Sequence, residues 1–373
     1  MIPLDRFLAD CLHEVRAAQE GAAQEGASAG GAVPVPPGAD GQRDARRRFL
    51  AAGLAALRTD HAGAGWTQLN LAPPDPAAYP ALYARLGEIA RESLSSGAAV
   101  NFFFMHKPPG MRVRFQAPTP GASDELHRRV IRRMAEHPEI FGNPRRAVYE
   151  PESYLFGGPA ALPWVHSLFT ADSLAWLDHH AARPLTAPAD WRHSLTLLRE
   201  LLDGLGIVGW EHRGVWGTLR EEAGRALGGE AARERGVDRA IDGIQRLWRL
   251  DRDRLTAGLP EPRRTALDAH RAAVHRAALD WREGYFDAGG GSGEESGDAS
   301  GDDFDLDLGV DAGAVSTGPR RAAAYCVVFH WNRARFSAAL QRLLTEALAT
   351  EGTPIEPSPR VDRPVVGVSG HDR

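Results

Sequence analysis

Apolar residues recur every three to four positions at both ends of the chain and every second position in part of its middle, so the sequence predicts helices flanking a small sheet. Leu4, Phe7, Leu8, Leu12 and Val15 share one helical face in residues 1 to about 18, as do Phe49, Leu50, Leu54 and Leu57 in residues 44–58. Between them, residues of about 20–41 are Gly, Ala, Pro and Gln with nothing to bury, which predicts a disordered loop. Trp66-Thr67-Gln68-Leu69-Asn70-Leu71 alternates as a short strand ahead of a helix over about 77–95. Val100 to His106 is rich in strand formers. With the turn Lys107-Pro108-Pro109-Gly110 and the alternating Met111 to Phe115, it predicts a β-hairpin.

A helix over about 123–137 follows, and helical periods dominate from Pro163 to Tyr285. Within that region Val237, Ile241, Ile244, Trp248 and Leu255 define one stripe, and Leu267, Val274, Ala278 and Trp281 another. These two helices are expected to pack together. From about 287 to 317 the chain turns acidic and Gly-rich, with the composition of a disordered insertion. Ala322 to His330 reads as a buried strand ending at Asn332-Arg333, and Phe336 to Leu348 as a closing helix.

The expected architecture is α+β: a small mixed or antiparallel sheet, with strands at Trp66, Val100, Met111 and Ala322, covered by several helices. Residues 1–60 form a helical N-terminal extension, 61–350 the main domain and 351–373 a disordered tail.

Hydrophobic residues make up 43% of 373, enough for a substantial core. The two cysteines, Cys11 and Cys326, offer neither a metal spacing nor a disulfide framework. Charges at Asp5, Arg6, Asp10, Glu14 and Arg16 argue against a secretory signal, and no run of ~18 apolar residues appears. A cytoplasmic location is expected. The net charge of −5 hides an asymmetry: nine carboxylates and no basic residue fall between Asp287 and Asp311, leaving 44 basic against 40 acidic side chains elsewhere. Lys107 is the sole lysine, so nearly all positive charge is guanidinium, a group suited to carboxylates and phosphates.

Alternation places Arg112 and Arg114 on one face of the second hairpin strand, opposite Met111, Val113 and Phe115. Two guanidiniums pointing the same way suit a carboxylate, a phosphate or a developing enolate, though the same pattern describes a solvent-facing polar edge. His330, at the end of the apolar Ala322–His330 run, has a side chain fit for acid–base work or for a satisfied core position. The same two readings apply to His166. Glu150 and Glu152 bracket a proline, which excludes a regular helix, and either carboxylate also suits a structural arginine partner. His179 and His180 are adjacent and lack the spacing of a zinc helix, so no metal is expected there. Phosphate loops, dinucleotide fingerprints and nucleophile elbows are missing from the sequence.

Several of these segments, in this order, resemble the C-terminal domain family of lantibiotic dehydratases, also described as the thiopeptide-type bacteriocin biosynthesis domain. They are Gly65-Trp66, Phe103 through Phe115, Tyr149-Glu150-Pro151-Glu152 through Phe156-Gly157-Gly158, Val165-His166-Ser167-Leu168-Phe169 with Asp172-Ser173, and Asn332-Arg333, spanning roughly Gly65 to Ala349. The resemblance implies a lyase that removes glutamate from glutamylated Ser or Thr of a ribosomally made precursor peptide. It assigns Arg112 and Arg114 to the developing anion, His330 to the proton, and Glu152, His166 and Arg333 to substrate binding. It implies no cofactor, no metal, no membrane and no direct nucleic-acid contact, and it requires a separately encoded glutamylating partner.

Two positions depart from the family pattern. Leu155 stands where an arginine commonly precedes the aromatic-Gly-Gly, and Val328 where a histidine commonly stands four residues before Asn-Arg. In a strand, an offset of two would return His330 to the face of Val328 and let it substitute. Relatives also resemble pyridine synthases, which join two dehydroalanines by formal aza-cycloaddition, so that reaction and a non-catalytic peptide-binding role stand as alternatives.

Overall fold

Four antiparallel strands, β1 (Trp66–Leu71), β2 (Asn101–Lys107), β3 (Gly110–Gln116) and β4 (Arg145–Ala147), line up in the order β2-β3-β1-β4 and make this an α+β protein. The computed structural model describes residues 65–73, 75–107, 110–182, 190–229, 234–290 and 317–351. The chain divides into two units, Met1–Ala64 and Gly65–Arg373, and every described residue belongs to the second. The N-terminal helices and their loop, most of the acidic insertion and the tail lie outside the described residues.

Cross-strand register fixes the two faces. Leu69 opposes Val113, and Val113 opposes Phe104; Phe115 opposes both Thr67 and Phe102. Leu69, Leu71, Phe102, Phe104, Met111, Val113 and Phe115 on this face are all buried. The face is covered by α1 (Tyr79–Ser95), through Leu82, Tyr83 and Leu86, and by α2 (Ser123–Ala135), through Leu126, Val130 and Met134. His127 of α2 hydrogen-bonds Thr67 at 2.9 Å, and a short helix α3 (Pro138–Phe141) leads into β4.

The helical remainder comprises α4 (Leu162–Ala181), α5 (Asp190–Gly204), α6 (His212–Glu221), α7 (Val237–Trp248), α8 (Arg252–Thr256), α9 (Glu261–Trp281), α10 (Pro319–Arg333) and α11 (Ala338–Ala349). α9 packs on α4 and α5, whereas α7 packs on α11. The expected pairing of α7 with α9 is therefore corrected, because a stripe's period shows which face is apolar but not which element covers it. The close α5–α9 approach depends on Gly204, where a Cβ would lie 2.6 Å from the His275 carbonyl oxygen and 2.7 Å from the Ala278 Cβ.

The largest correction concerns Ala322–His330, which is helix α10 and not the fourth strand. That place is taken by Arg145–Ala147. α10 buries Ala322, Ala323, Ala324, Cys326, Val327, Phe329, His330, Trp331 and Arg333, so neither an alternating nor a helical stripe stands out. Pro319 at its first turn and the alanine run favour helix.

Helices α4 and α10 dock on the β2 edge by sealing its backbone. Phe102 N–H donates to Thr170 Oγ1 at 3.0 Å, Phe104 N–H donates to Ser173 Oγ at 3.3 Å, and Arg333 Nε donates to the Phe104 carbonyl at 3.1 Å. An open edge would otherwise leave these groups unpaired. Among the described residues no helix is long and apolar enough to cross a membrane.

Candidate functional site

The sheet's other face carries two cross-strand rows of polar side chains. One runs Phe103, Arg114, Gln68, Ala147 and the next Met105, Arg112, Asn70, Arg145. Residues directly opposite in antiparallel strands point the same way, so the arginine pair of β3 shares its face with Gln68 and Asn70 of β1.

The first row is roofed. Arg114 is 5% exposed, its guanidinium 4.9 Å from the ring centres of both Phe103 and Tyr149. Arg114 Nε donates to Gln68 Oε1 at 2.7 Å, while its Nη1 is buried without an acceptor among the described residues. Burial pushes the Arg114 pKa down to about 10, with Tyr149 and Glu152 opposing and Arg112 and Arg333 adding to the fall. The group still carries its charge at neutral pH. Tyr149 comes from the loop after β4, and its hydroxyl hydrogen-bonds His166 Nε2 of α4 at 2.8 Å. Burial, reinforced by Arg114, drives the His166 pKa down to about 3, so this imidazole is neutral. Trp66 closes the box, its ring 4.5 Å from His166 and 5.0 Å from Tyr149.

Arg333 of α10 stands behind this box, over the ring of Phe169 at 4.4 Å. Its Nη1 donates to Asp172 Oδ2 at 2.7 Å and its Nη2 is buried without an acceptor among the described residues. His330 lies one helical turn earlier, with Nδ1 2.7 Å from Asp172 Oδ1 and Nε2 2.9 Å from Ser194 Oγ of α5. Ser194, His330, Asp172 and Arg333 thus form one buried polar chain. Burial opposes the ionised Asp172, but the charges of His330 and Arg333 outweigh it and hold the carboxyl below its ordinary range. The adjoining void of about 10 Å³, lined in part by Asp172, Cys326, His330 and Arg333, has room for about one water molecule and not for a peptide.

The expected site residues are therefore brought together only in part. Arg112, Arg114, Glu152, His166 and Arg333 gather around Tyr149 and the polar face, close enough that Arg112, Glu152 and Arg333 each shift the ionisation of Arg114. His330 is not among them; it reaches Arg333 only through Asp172. The face argument that linked it to Val328 falls with the strand, because residues two apart on a helix stand about 200° apart. Sequence reasoning missed Gln68, Asn70 and Arg145, which only register brings into line, and the hydrogen bonds by which Tyr149 and Asp172 hold His166, His330 and Arg333. Elsewhere, Glu200, Asp203 and His275 bring ligand-type atoms within 4.8 Å of one another, but Arg271 already donates to Glu200 at 3.0 Å. We read that cluster as an ion-pair network.

The α+β scaffold thus holds one buried and one half-exposed guanidinium side by side on a single sheet face. The sequence profile of the lantibiotic biosynthesis dehydratase C-terminal family matches residues 66–350, and the chain belongs to that family. A solved structure similar to it is the tRNA-dependent lantibiotic dehydratase MibB from Microbispora sp. 107891. It is 16% identical, with a TM-score of 0.47, over 77% of this chain and 28% of that one. The chain thus spans less than a third of that dehydratase. TsrL, also 16% identical, has a TM-score of 0.43 over 76% of this chain and 93% of its own. No curated protein matches the sequence.

Proposed function

We propose that the chain acts on a ribosomally made precursor peptide and eliminates glutamate from glutamylated Ser or Thr, working beside a separately encoded glutamylating protein. The observation that carries this reading is the pair of buried guanidinium nitrogens, Arg114 Nη1 and Arg333 Nη2, that have no acceptor among the described residues. Leaving a charged donor unpaired in a dry site is costly, so such donors are expected where a ligand supplies the acceptor.

In the elimination a base takes the α-proton of the glutamylated residue and the Cα–H electrons delocalise onto the residue's carbonyl oxygen as an enolate. As those electrons return to form the Cα=Cβ bond the Cβ–O bond breaks, and its electrons leave on the glutamate carboxylate. Arg114 faces the developing enolate, where a fixed cation stabilises charge that appears only in the transition state, and Arg112, on the same sheet face, helps hold the glutamylated peptide. Glu152 is exposed and its charge reaches both Arg114 and Tyr149, so the reading gives it the proton. His166 orients Tyr149. His330 is a positioning residue, acting on Arg333 through Asp172.

The test is mass spectrometry of a glutamylated precursor incubated with the purified chain. Conversion to dehydroalanine or dehydrobutyrine with release of free glutamate supports elimination, and an unchanged glutamyl peptide with folded protein removes it. One observation favours the second reading, cycloaddition: Leu155 and Val328 replace the family's arginine and histidine with aliphatics, and both pack against the core on elements that touch. That reaction would proceed only on an already dehydrated peptide and would release its leader.

A further inference from the structure

The second polar row differs from the first in being open. Asn70 and Arg145 are exposed and Arg112 is half-buried. Strand alternation sends the neighbouring arginine, Arg146, to the opposite face, where it meets Asp124 at 2.8 Å. Neither Arg112 nor Arg145 has an acceptor among the described residues.

Hydrogen-bond polarity fixes how Asn70 is presented between them. A guanidinium can only donate, so the Gln68 side chain must turn its oxygen to Arg114. The Gln68 amide nitrogen then faces Asn70 and donates to Asn70 Oδ1 at 3.4 Å. Asn70 is left with its NH2 group for whatever lies above the sheet. Adjacent strands are about 4.8 Å apart, so Arg112 and Arg145 stand one strand to either side of that amide. The row presents three donor side chains, two of them cationic.

We propose that Arg112, Asn70 and Arg145 form a carboxylate-binding site on the open half of the polar face, separate from the buried Arg114 and Arg333 nitrogens. The site rests on the peptide-substrate reading for the source of its carboxylate. Two sources share the chemistry: the glutamyl group on the reacting residue, and an Asp or Glu side chain of the precursor itself. A planar carboxylate fits because guanidinium donates bidentately and Asn70 adds a donor between the two forks.

The test is fluorescence anisotropy of labelled peptides binding to the full chain. One peptide carries a glutamyl group through a non-hydrolysable amide at the reacting position. Another carries Glu two residues away. Each is compared with a counterpart whose carboxylate is an amide. At least one acid peptide is expected to bind roughly tenfold more tightly than its amide, and the peptide that does so identifies the source. Arg145→Ala and Asn70→Asp should abolish that preference without moving the unfolding midpoint, since both side chains are exposed and Asp matches the shape of Asn. Equal binding of acid and amide peptides, or a preference that survives both substitutions, overturns the site. The elimination reading is tested separately by glutamate release, so either idea can fall while the other stands.

Discussion

Arg112 and Arg114 sit two residues apart on one strand and point to one face, yet they inhabit different media. Arg114 is enclosed by Phe103, Tyr149, Gln68 and His166, and its pKa falls to about 10 because burial opposes its charge. Arg112 is half-exposed beside exposed Asn70 and Arg145. A motif that reads as one feature in sequence is thus divided into a dry position and a wet one. The dry cation has high leverage on anionic charge, since little water screens it; the wet cations are accessible and suited to capture and orientation.

The comparison breaks most visibly through the partner of the second dry cation. Asp172→Ala removes the carboxylate that Arg333 and His330 share, leaving a fully buried guanidinium without a counter-charge. Loss of one partner from a buried pair costs about 3–5 kcal/mol, so urea unfolding should show a large fall in midpoint. A midpoint within error of the parent protein would mean that the Ser194–His330–Asp172–Arg333 chain does not hold the helices together.

Arg114→Met sharpens the distinction from the other side. An apolar side chain of similar volume removes a buried charge with an unsatisfied nitrogen but leaves Gln68 Oε1 without its donor, so stability should fall by no more than about 1–3 kcal/mol. Turnover should fall by about a hundredfold, or ~2.7 kcal/mol, because the stabilising cation is gone. Stable protein with unimpaired glutamate release would remove Arg114 from the reaction.

Acid should act on the dry half alone. The His166 pKa is about 3 in the folded protein against 6.5 ordinarily, so between those values the unfolded chain binds a proton that the folded chain refuses. Stability is therefore complete above about pH 6.5 and declines on acidification, by about 1.4 kcal/mol per pH unit for this group. His166→Gln should flatten the slope of unfolding free energy against pH by about that amount between pH 6 and pH 4. An unchanged slope would show that His166 titrates normally.

The hairpin and its two faces were legible because an alternating pattern bounded by Lys107-Pro108-Pro109-Gly110 has few other readings. Register was not legible. Nothing in the sequence aligns Asn70 with both Arg112 and Arg145, and the three-residue β4 is too short to show a period. The reading of α10 failed for the opposite reason: apolar on nearly all sides, it offered no stripe, and a buried run of that kind fits strand or helix equally well. That error carried His330 to the wrong place. On a helix, its one-turn neighbour is Arg333, so its chemistry runs inward to Asp172 and not toward the polar face.

The smallest expected effect is the most diagnostic. Arg112→Ala removes a half-exposed guanidinium with no acceptor among the described residues, so the unfolding free energy should shift by less than about 0.5 kcal/mol. Steady-state kinetics should nonetheless show KM for the glutamylated peptide raised by roughly tenfold, the loss expected of a charged hydrogen bond to substrate. The wet and dry arginines then separate along two axes, one governing binding at little structural cost and the other governing the chemical step from within the core. If Arg112→Ala instead lowers kcat as strongly as Arg114→Met while leaving KM alone, both arginines act on the transition state, and the difference in burial is incidental to the reaction.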